Sequence, residues 1–171
     1  MLEEDAGSQD SRDGISGLGR STEQFFRDIT GAGKPRKASL GDADFGDERY
    51  VEVKKASAGT INQVRALKYI TLVVYSPPKD EWFVVPACDV VRLVAGKRRG
   101  QHCENPFECA ALSTAKLADF KVDPTGLRDA TLGAIAKSEA HPDLRDAMHT
   151  IHMECRQLAD RSINAANDLL T

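Results

Sequence analysis

The sequence has few cysteines, no excess of basic residues and no long apolar run, and each shortage argues against a class of protein. Its four cysteines, Cys88, Cys103, Cys109 and Cys155, are too few and too scattered to indicate a disulfide framework. Apolar stretches such as ITLVVY at 70–75 are far too short to span a bilayer. Because no N-terminal segment joins basic residues to an apolar run, we expect no signal peptide and a cytoplasmic, reducing setting.

Charge gives no overall signal for a nucleic-acid partner. The net charge is -3, whereas proteins that bind DNA are often basic. Acidic residues are concentrated in the first thirteen positions, however, so the remaining chain is closer to neutral. A hydrophobic content of 41% and a charged content of 29% are typical of globular proteins, and 171 residues are enough for one domain with its own core.

Hydrophobic periodicity predicts an α/β fold, in which a mixed β-sheet is flanked by helices. Residues 1–20 are rich in glycine, serine and aspartate, which predicts a disordered N-terminal tail. We expect a core over 21–112 and a helical extension over 113–171. The predicted helices cover 21–30, 60–69, 108–119, 125–138 and 142–170, with a helix or loop after Pro86, and the predicted strands cover 38–45, 49–56, 70–75 and 82–85.

The segment LGDADFGDERYVEVKK, residues 40–55, is the most informative part of the chain. A three-residue turn at 46–48 would pair position 43 with position 51, which places Asp42 opposite Glu52. Because side chains alternate along a strand, Asp42, Glu52 and Lys54 then share one face. Two facing carboxylates repel unless a cation lies between them, so this register predicts a divalent metal site.

Two alternatives concern the same segment. A different turn would bring Asp44 rather than Asp42 into line with Glu52. In the second alternative the hairpin is a solvated polar face with an ion pair between Glu52 and Lys54, which contributes little. Asp47 and Glu48 are interpreted as turn residues.

The pattern Asp42-x9-Glu52-x-Lys54 resembles the active-site motif of the PD-(D/E)xK phosphodiesterases, and the resemblance covers about residues 21–95. Gly41 stands where the family often has proline. The resemblance implies a restriction-endonuclease-like fold and a DNA endonuclease that uses Mg²⁺, with Mn²⁺ able to substitute. A Type II restriction enzyme is the first expectation, a Holliday-junction resolvase or repair nuclease the second. A catalytically silent binding or assembly domain is the alternative from another class.

The resemblance also implies roles for individual residues. Asp42, Glu52 and the carbonyl of Val53 would be the metal ligands, which suits the preference of Mg²⁺ for oxygen. Lys54 would orient or deprotonate the attacking water or stabilise the transition-state charge. Glu23 could add a water-mediated contact or a second-metal ligand, and Gln63 could position a phosphate.

Basic residues near this segment predict contacts with DNA phosphates, which position a duplex without reading its sequence. The partner is expected to be double-stranded DNA, and a homodimer is expected because a double-strand cutter needs two active sites. The extension at 113–171 would then support dimerisation or DNA binding. The candidate DNA-binding residues are Lys34, Arg36, Lys37, Lys55, Arg98 and Arg99.

Overall fold

The structure, a computed structural model, describes residues 14–141, with side chains described from residue 22 onward. It is an α/β protein with a mixed sheet and helices, as the sequence predicted. The helices are α1 (Gly14–Thr30), α2 (Ala87–Val94) and α3 (Leu127–Glu139). The strands are β1 (Ala43–Asp44), β2 (Tyr50–Lys55), β3 (Thr60–Val64), β4 (Thr71–Ser76), β5 (Glu81–Pro86), β6 (Ala110–Ser113) and β7 (Lys121–Val122).

Five strands form the main sheet in the order β1-β2-β4-β5-β7, and β3 pairs with β6 in a separate two-stranded ribbon. Within the described residues, β2 and β4 are parallel neighbours in the main sheet, and its other pairs are antiparallel. Side chains of β4 alternate between two apolar clusters, whereas β2 contributes Val51 and Val53 to one cluster and carries Glu52 and Lys54 on its other face. Val51 and Val73 pack with Phe26 of α1, whereas Leu72 and Val74 pack with α2 and β6.

The β1–β2 hairpin confirms the predicted register, because Ala43 pairs with Val51. The Phe45 N–H donates to the Arg49 carbonyl at 3.2 Å, which closes the three-residue turn. The strand predicted over 38–45 is shorter, since residues 38–40 form a 3₁₀ turn and β1 contains only two residues. Gly41 explains the break: its φ is 142°, and a Cβ there would lie 3.0 Å from the Val51 carbonyl oxygen.

The helix predicted over 60–69 is wrong, because residues 60–64 form β3. The prediction relied on the apolar spacing of Ile61 and Val64, which is typical of a helix. A register shift between these two residues and a positive φ of 55° at Gln63 give the same spacing in a bulged strand. Ile61 and Val64 are therefore both buried, while Asn62 and Gln63 are exposed between them.

The helix predicted over 108–119 is also wrong, since β6 occupies 110–113 and a 3₁₀ helix occupies 114–120. Alternate burial along β6, with Ala110 and Leu112 inside, shows the strand periodicity. The helix expected at 125–138 is confirmed as α3, which packs against β5 and β4. The helix expected at 142–170 lies outside the described residues.

Two further outcomes concern helices. The predicted helix at 21–30 starts earlier, because α1 begins at Gly14 and includes residues 14–20, which the sequence analysis assigned to the tail. Gly31, with a φ of 68°, directly follows the last residue of α1, where a helix end favours glycine. Across residues 14–141, no helix is both long enough and apolar enough to cross a membrane.

Candidate functional site

Asp42 is held in place by three hydrogen bonds where the chain enters β1. Its N–H donates to the Val51 carbonyl at 2.9 Å, and its carbonyl accepts from Arg27 Nη1 at 2.6 Å. Its carboxylate Oδ2 accepts from the Val53 N–H at 2.8 Å. The Asp42 carboxylate therefore takes the place of a backbone acceptor beyond the end of β1, and this bond holds it against Val53 in the middle of β2.

Glu52 is a buried carboxylate, only 9% exposed, in the centre of β2. Lys54 Nζ lies 2.7 Å from Glu52 Oε1, because residues two apart on a strand share one face. The Tyr69 hydroxyl is hydrogen-bonded to the same carboxylate. Burial and then the charge of Glu52 raise the pKa of Tyr69 above its usual value, so this hydroxyl stays a proton donor.

Several acidic groups act on one another at this site. The pKa of the Asp42 carboxyl is raised to about 7, chiefly by burial and to a smaller extent by the nearby charges of Glu52 and Glu23. The hydrogen bond from the Val53 N–H and the charge of Lys54 act in the opposite direction. Acidic groups brought this close with one ammonium group among them form an environment that favours an added cation.

The donors at this site suit a hard divalent cation. Because the N–H and C=O of a strand residue point to the same side, the Val53 carbonyl faces the same sheet edge as the Val53 N–H that binds Asp42. Two carboxylates and a carbonyl match the oxygen preference of Mg²⁺, which keeps several waters in protein sites. Within residues 14–141, no cluster of three or more His, Cys, Asp or Glu side chains has metal-binding geometry. The predicted ligand set contains only two such side chains.

A cleft of about 650 Å³ borders Asp42. Besides Asp42, two predicted residues line it, namely Glu23 of α1 and Lys34. Arg27, which the sequence analysis missed, also lines the cleft and bonds the Asp42 carbonyl. The spacing between Glu23 and Arg27 could have indicated that Arg27 lies near the site, because residues four apart share one face of a helix.

The other predicted residues occupy different places. Asp44, the rival to Asp42, accepts from the Gly46 N–H at 2.8 Å and so serves the turn. Gln63 lies on β3 and lines a second cleft. The remaining predicted basic residues are exposed Arg36, Lys37, Arg98 and Arg99, and half-buried Lys55, which follows Lys54 on β2.

The three comparisons with known proteins returned no family model, no curated protein and no solved structure that matches this chain. The function is therefore inferred from the chain's own residues. Asp42, Glu52, Lys54 and Glu23 come together, and Gln63 lies apart from them in the second cleft.

The raised pKa of Asp42 gives a testable dependence of stability on pH. Because its folded pKa of about 7 exceeds the ordinary 3.8, the Asp42 contribution to stability is greatest below pH 4 and is lost as pH rises towards 7. Asp42→Asn keeps an acceptor for the Val53 N–H and removes the charge. At pH 8 in EDTA it is expected to stabilise the fold by about 1–2 kcal/mol, a value reduced for partial solvent exposure.

Thermal unfolding of both proteins at pH 8 and pH 4 would measure this difference. The gain should nearly vanish at pH 4, where Asp42 is protonated in the folded state. Asp44→Asn serves as the control, because its side-chain oxygen can still accept from the Gly46 N–H. A gain of equal size at both pH values would contradict the assigned pKa.

Proposed function

We propose that this protein is a metal-dependent deoxyribonuclease with a restriction-endonuclease-like fold, which hydrolyses phosphodiester bonds in double-stranded DNA. One observation carries the proposal: the Asp42 carboxylate is bound to the backbone of Val53, between Glu52 and Lys54 of β2. Asp42, Glu52 and the Val53 carbonyl would hold Mg²⁺, or Mn²⁺ in its place.

The fold is compatible with this assignment in its first half. Helix α1 carries Glu23, the antiparallel β1–β2 hairpin presents Asp42 and the Glu-x-Lys pair, and β4 lies parallel to β2. The connection between β2 and β4 differs from the arrangement expected from the family resemblance, because β3 is found where a helix was expected. The fold assignment is thus part of the proposal.

Lys54 is the residue that would act on the attacking water. Its ammonium group is bound to Glu52 and its side chain is 25% exposed, so it reaches solvent from beside the buried Glu52 carboxylate. A divalent cation at this site would lower the pKa of a bound water and neutralise charge developing on the phosphate. The Lys54 ammonium would orient that water and offset negative charge in the transition state.

Basic side chains near the site offset the repulsion between its carboxylates and DNA. Lys34 and Arg27 line the cleft beside Asp42, and Arg36 and Lys37 are exposed on the adjoining turn. Cations in this arrangement neutralise phosphates and contribute affinity that falls with salt. Cleavage of both strands requires two such sites, so the proposed active form is a homodimer.

Incubation of the purified protein with supercoiled plasmid tests the chemistry. The wild type is expected to nick or cut the plasmid with Mg²⁺ or Mn²⁺ and to be inactive in EDTA. Asp42→Asn should reduce the rate by at least about 100-fold, because it removes a metal ligand. Asp44→Asn, the matched control, should remain within a few-fold of the wild type; equal rates for wild type and Asp42→Asn would reject the proposal.

The pattern of products separates the kinds of nuclease. Discrete fragments from a long duplex would indicate a Type II restriction enzyme, which is the form we propose first. Cleavage confined to branched DNA would indicate a Holliday-junction resolvase, and cleavage confined to damaged DNA a repair nuclease. Binding without cleavage under every metal condition would instead support a silent binding or assembly domain.

A further inference from the structure

A second cleft of about 470 Å³ lies between the β3–β6 ribbon and the loop that follows α2. We name it the amide cleft, because three of its ten lining residues carry side-chain amides. Asn62, Gln63 and Gln101 contribute side-chain amides, all exposed. Its other lining residues are Arg65, Gly100, His102, Cys103, Cys109, Ala110 and Ala111.

Two residues of this cleft have a strained backbone. Five described non-glycine residues have a positive φ, and four of them, Asp47, Glu48, Asp80 and His102, lie in turns. Gln63, with φ 55°, lies instead within strand β3, and both Gln63 and His102, with φ 61°, line the amide cleft. Side chains with a Cβ adopt this region at a steric cost, and such residues are concentrated at functional sites.

The chemistry of the lining matches base edges in duplex nucleic acid. Asn and Gln amides pair with adenine N6 and N7, and Arg pairs with guanine O6 and N7. Among the lining residues that the structure describes, none is acidic, and Arg65 supplies a positive charge. None is Phe, Tyr or Trp either, which disfavours unpaired bases because single-strand sites stack bases on aromatic rings.

The ribbon that lines the amide cleft packs on the sheet face that carries Glu52 and Lys54. Glu52 pairs with Leu72 and Lys54 with Val74, and Leu72 and Val74 belong to the same apolar cluster as Ile61 and Leu112 of the ribbon. The amide cleft and the proposed catalytic site therefore lie on the same side of the main sheet. A two-stranded ribbon such as β3–β6 also has the width that the major groove accepts.

The cleft is held in a fixed shape. The Gly100 N–H donates to the Cys109 carbonyl at 2.7 Å, and the Ala66 N–H donates to the Phe107 carbonyl at 3.0 Å. A Cβ on Gly100 would lie 2.6 Å from Cys109 Sγ, so only glycine allows this close approach. Such rigidity reduces the entropy lost on binding.

We propose that the amide cleft contacts base edges in the major groove of duplex DNA and sets the sequence at which the proposed catalytic site cuts. Gln63 and Asn62 are the specificity-determining residues, and Arg65 adds a phosphate or guanine contact. This inference rests on the proposed nuclease function. It assigns to Gln63 a role in sequence recognition instead of phosphate positioning at the metal.

Selection from a random duplex library tests the inference, using full-length Glu52→Gln protein so that binding is not followed by cleavage. This protein is expected to enrich a consensus sequence. Adding Gln63→Gly, which removes the amide and accepts the positive φ, should reduce discrimination at one base pair by about 5- to 150-fold. The Tm should not fall, because glycine relieves the strain.

Two further variants are matched to Gln63→Gly. Asp80→Gly relieves a positive φ of 51° at the distant β4–β5 turn, and it should leave the consensus unchanged. Arg65→Ala should weaken binding and reduce the salt slope by about one if Arg65 contacts a phosphate, or change one base preference if it contacts guanine. Either result supports the inference, and unchanged affinity, slope and preference would remove Arg65 from it.

Four experimental results would distinguish base reading by the amide cleft from the proposed nuclease function. Base reading in a duplex would be wrong if Gln63→Gly lost affinity equally for all sequences. It would also be wrong if the protein bound single strands in preference to duplexes. If the wild type cuts DNA and Gln63→Gly cuts at the same sites, the base-reading role of the cleft is rejected and the proposed nuclease function is retained. If a consensus is selected through Gln63 but wild type never cuts, the nuclease assignment fails and base reading stands.

Discussion

Replacing Lys54 with methionine is expected to lower the rate of DNA cleavage by about 10²–10³-fold, a loss typical of removing one group that stabilises transition-state charge. Methionine keeps most of the apolar stem and removes the ammonium that lies 2.7 Å from Glu52. The proposed role concerns the reacting groups, so affinity for DNA should change by only a few-fold. Single-turnover cleavage and a separate binding titration in Ca²⁺ would measure the two quantities.

The control for Lys54→Met is Lys79→Met, which removes an exposed ammonium from the turn between β4 and β5. Its cleavage rate should match that of the wild type. Glu52→Gln, in contrast, should lose cleavage to the same degree as Lys54→Met, because it removes a proposed metal ligand. Wild-type rates for Lys54→Met would show that the ion pair with Glu52 is only structural.

Phe26→Ala is expected to destabilise the protein by about 3–5 kcal/mol, the range for truncating a buried aromatic residue. Phe26 is 0% exposed, and its ring centroid lies 6.3 Å from those of both Phe45 and Trp82. These contacts attach α1 to the main sheet. Urea unfolding at pH 7 would measure the loss, and a change below about 1.5 kcal/mol would contradict the packing described.

The adjacent aromatic residue provides a matched control. Phe25 is 48% exposed, although its ring stacks on Trp82 with centroids 5.8 Å apart. Phe25→Ala should therefore cost about 0.5–1.5 kcal/mol, much less than Phe26→Ala. Because Glu23 and Arg27 lie on the same helix, Phe26→Ala should also lower cleavage, and the conservative Phe26→Leu should recover most of both properties.

The hairpin was predictable from the sequence because its determinants are local. A three-residue turn fixes the register on both sides, so the pairing of Ala43 with Val51 follows from loop length. Alternation then places Val51 and Val53 in the core and brings Glu52 and Lys54 together. The two apolar runs at 70–75 and 82–85 likewise predicted β4 and β5, whose composition is typical of buried strands.

The β3–β6 ribbon was not predictable, because its determinants are distant in sequence. Ile61 pairs with Leu112, and no local pattern identifies that partner. The bulge at Gln63 also reproduces helical spacing, which concealed the strand. The phosphate-positioning role of Gln63 was predicted from the family resemblance, which expects a helix where β3 lies. The contact between Arg27 and the Asp42 carbonyl depends on the packed position of α1, which the sequence does not give.

The long sequence separation between β3 and β6 also affects the order in which parts of the chain are expected to fold. The hairpin of β1 and β2 closes a loop of a few residues, and its entropic cost is small. The ribbon must wait until β6 has been synthesised and has closed a much longer loop, which slows its formation. A nascent chain is therefore expected to form the hairpin with the proposed metal ligands before it forms the proposed recognition cleft.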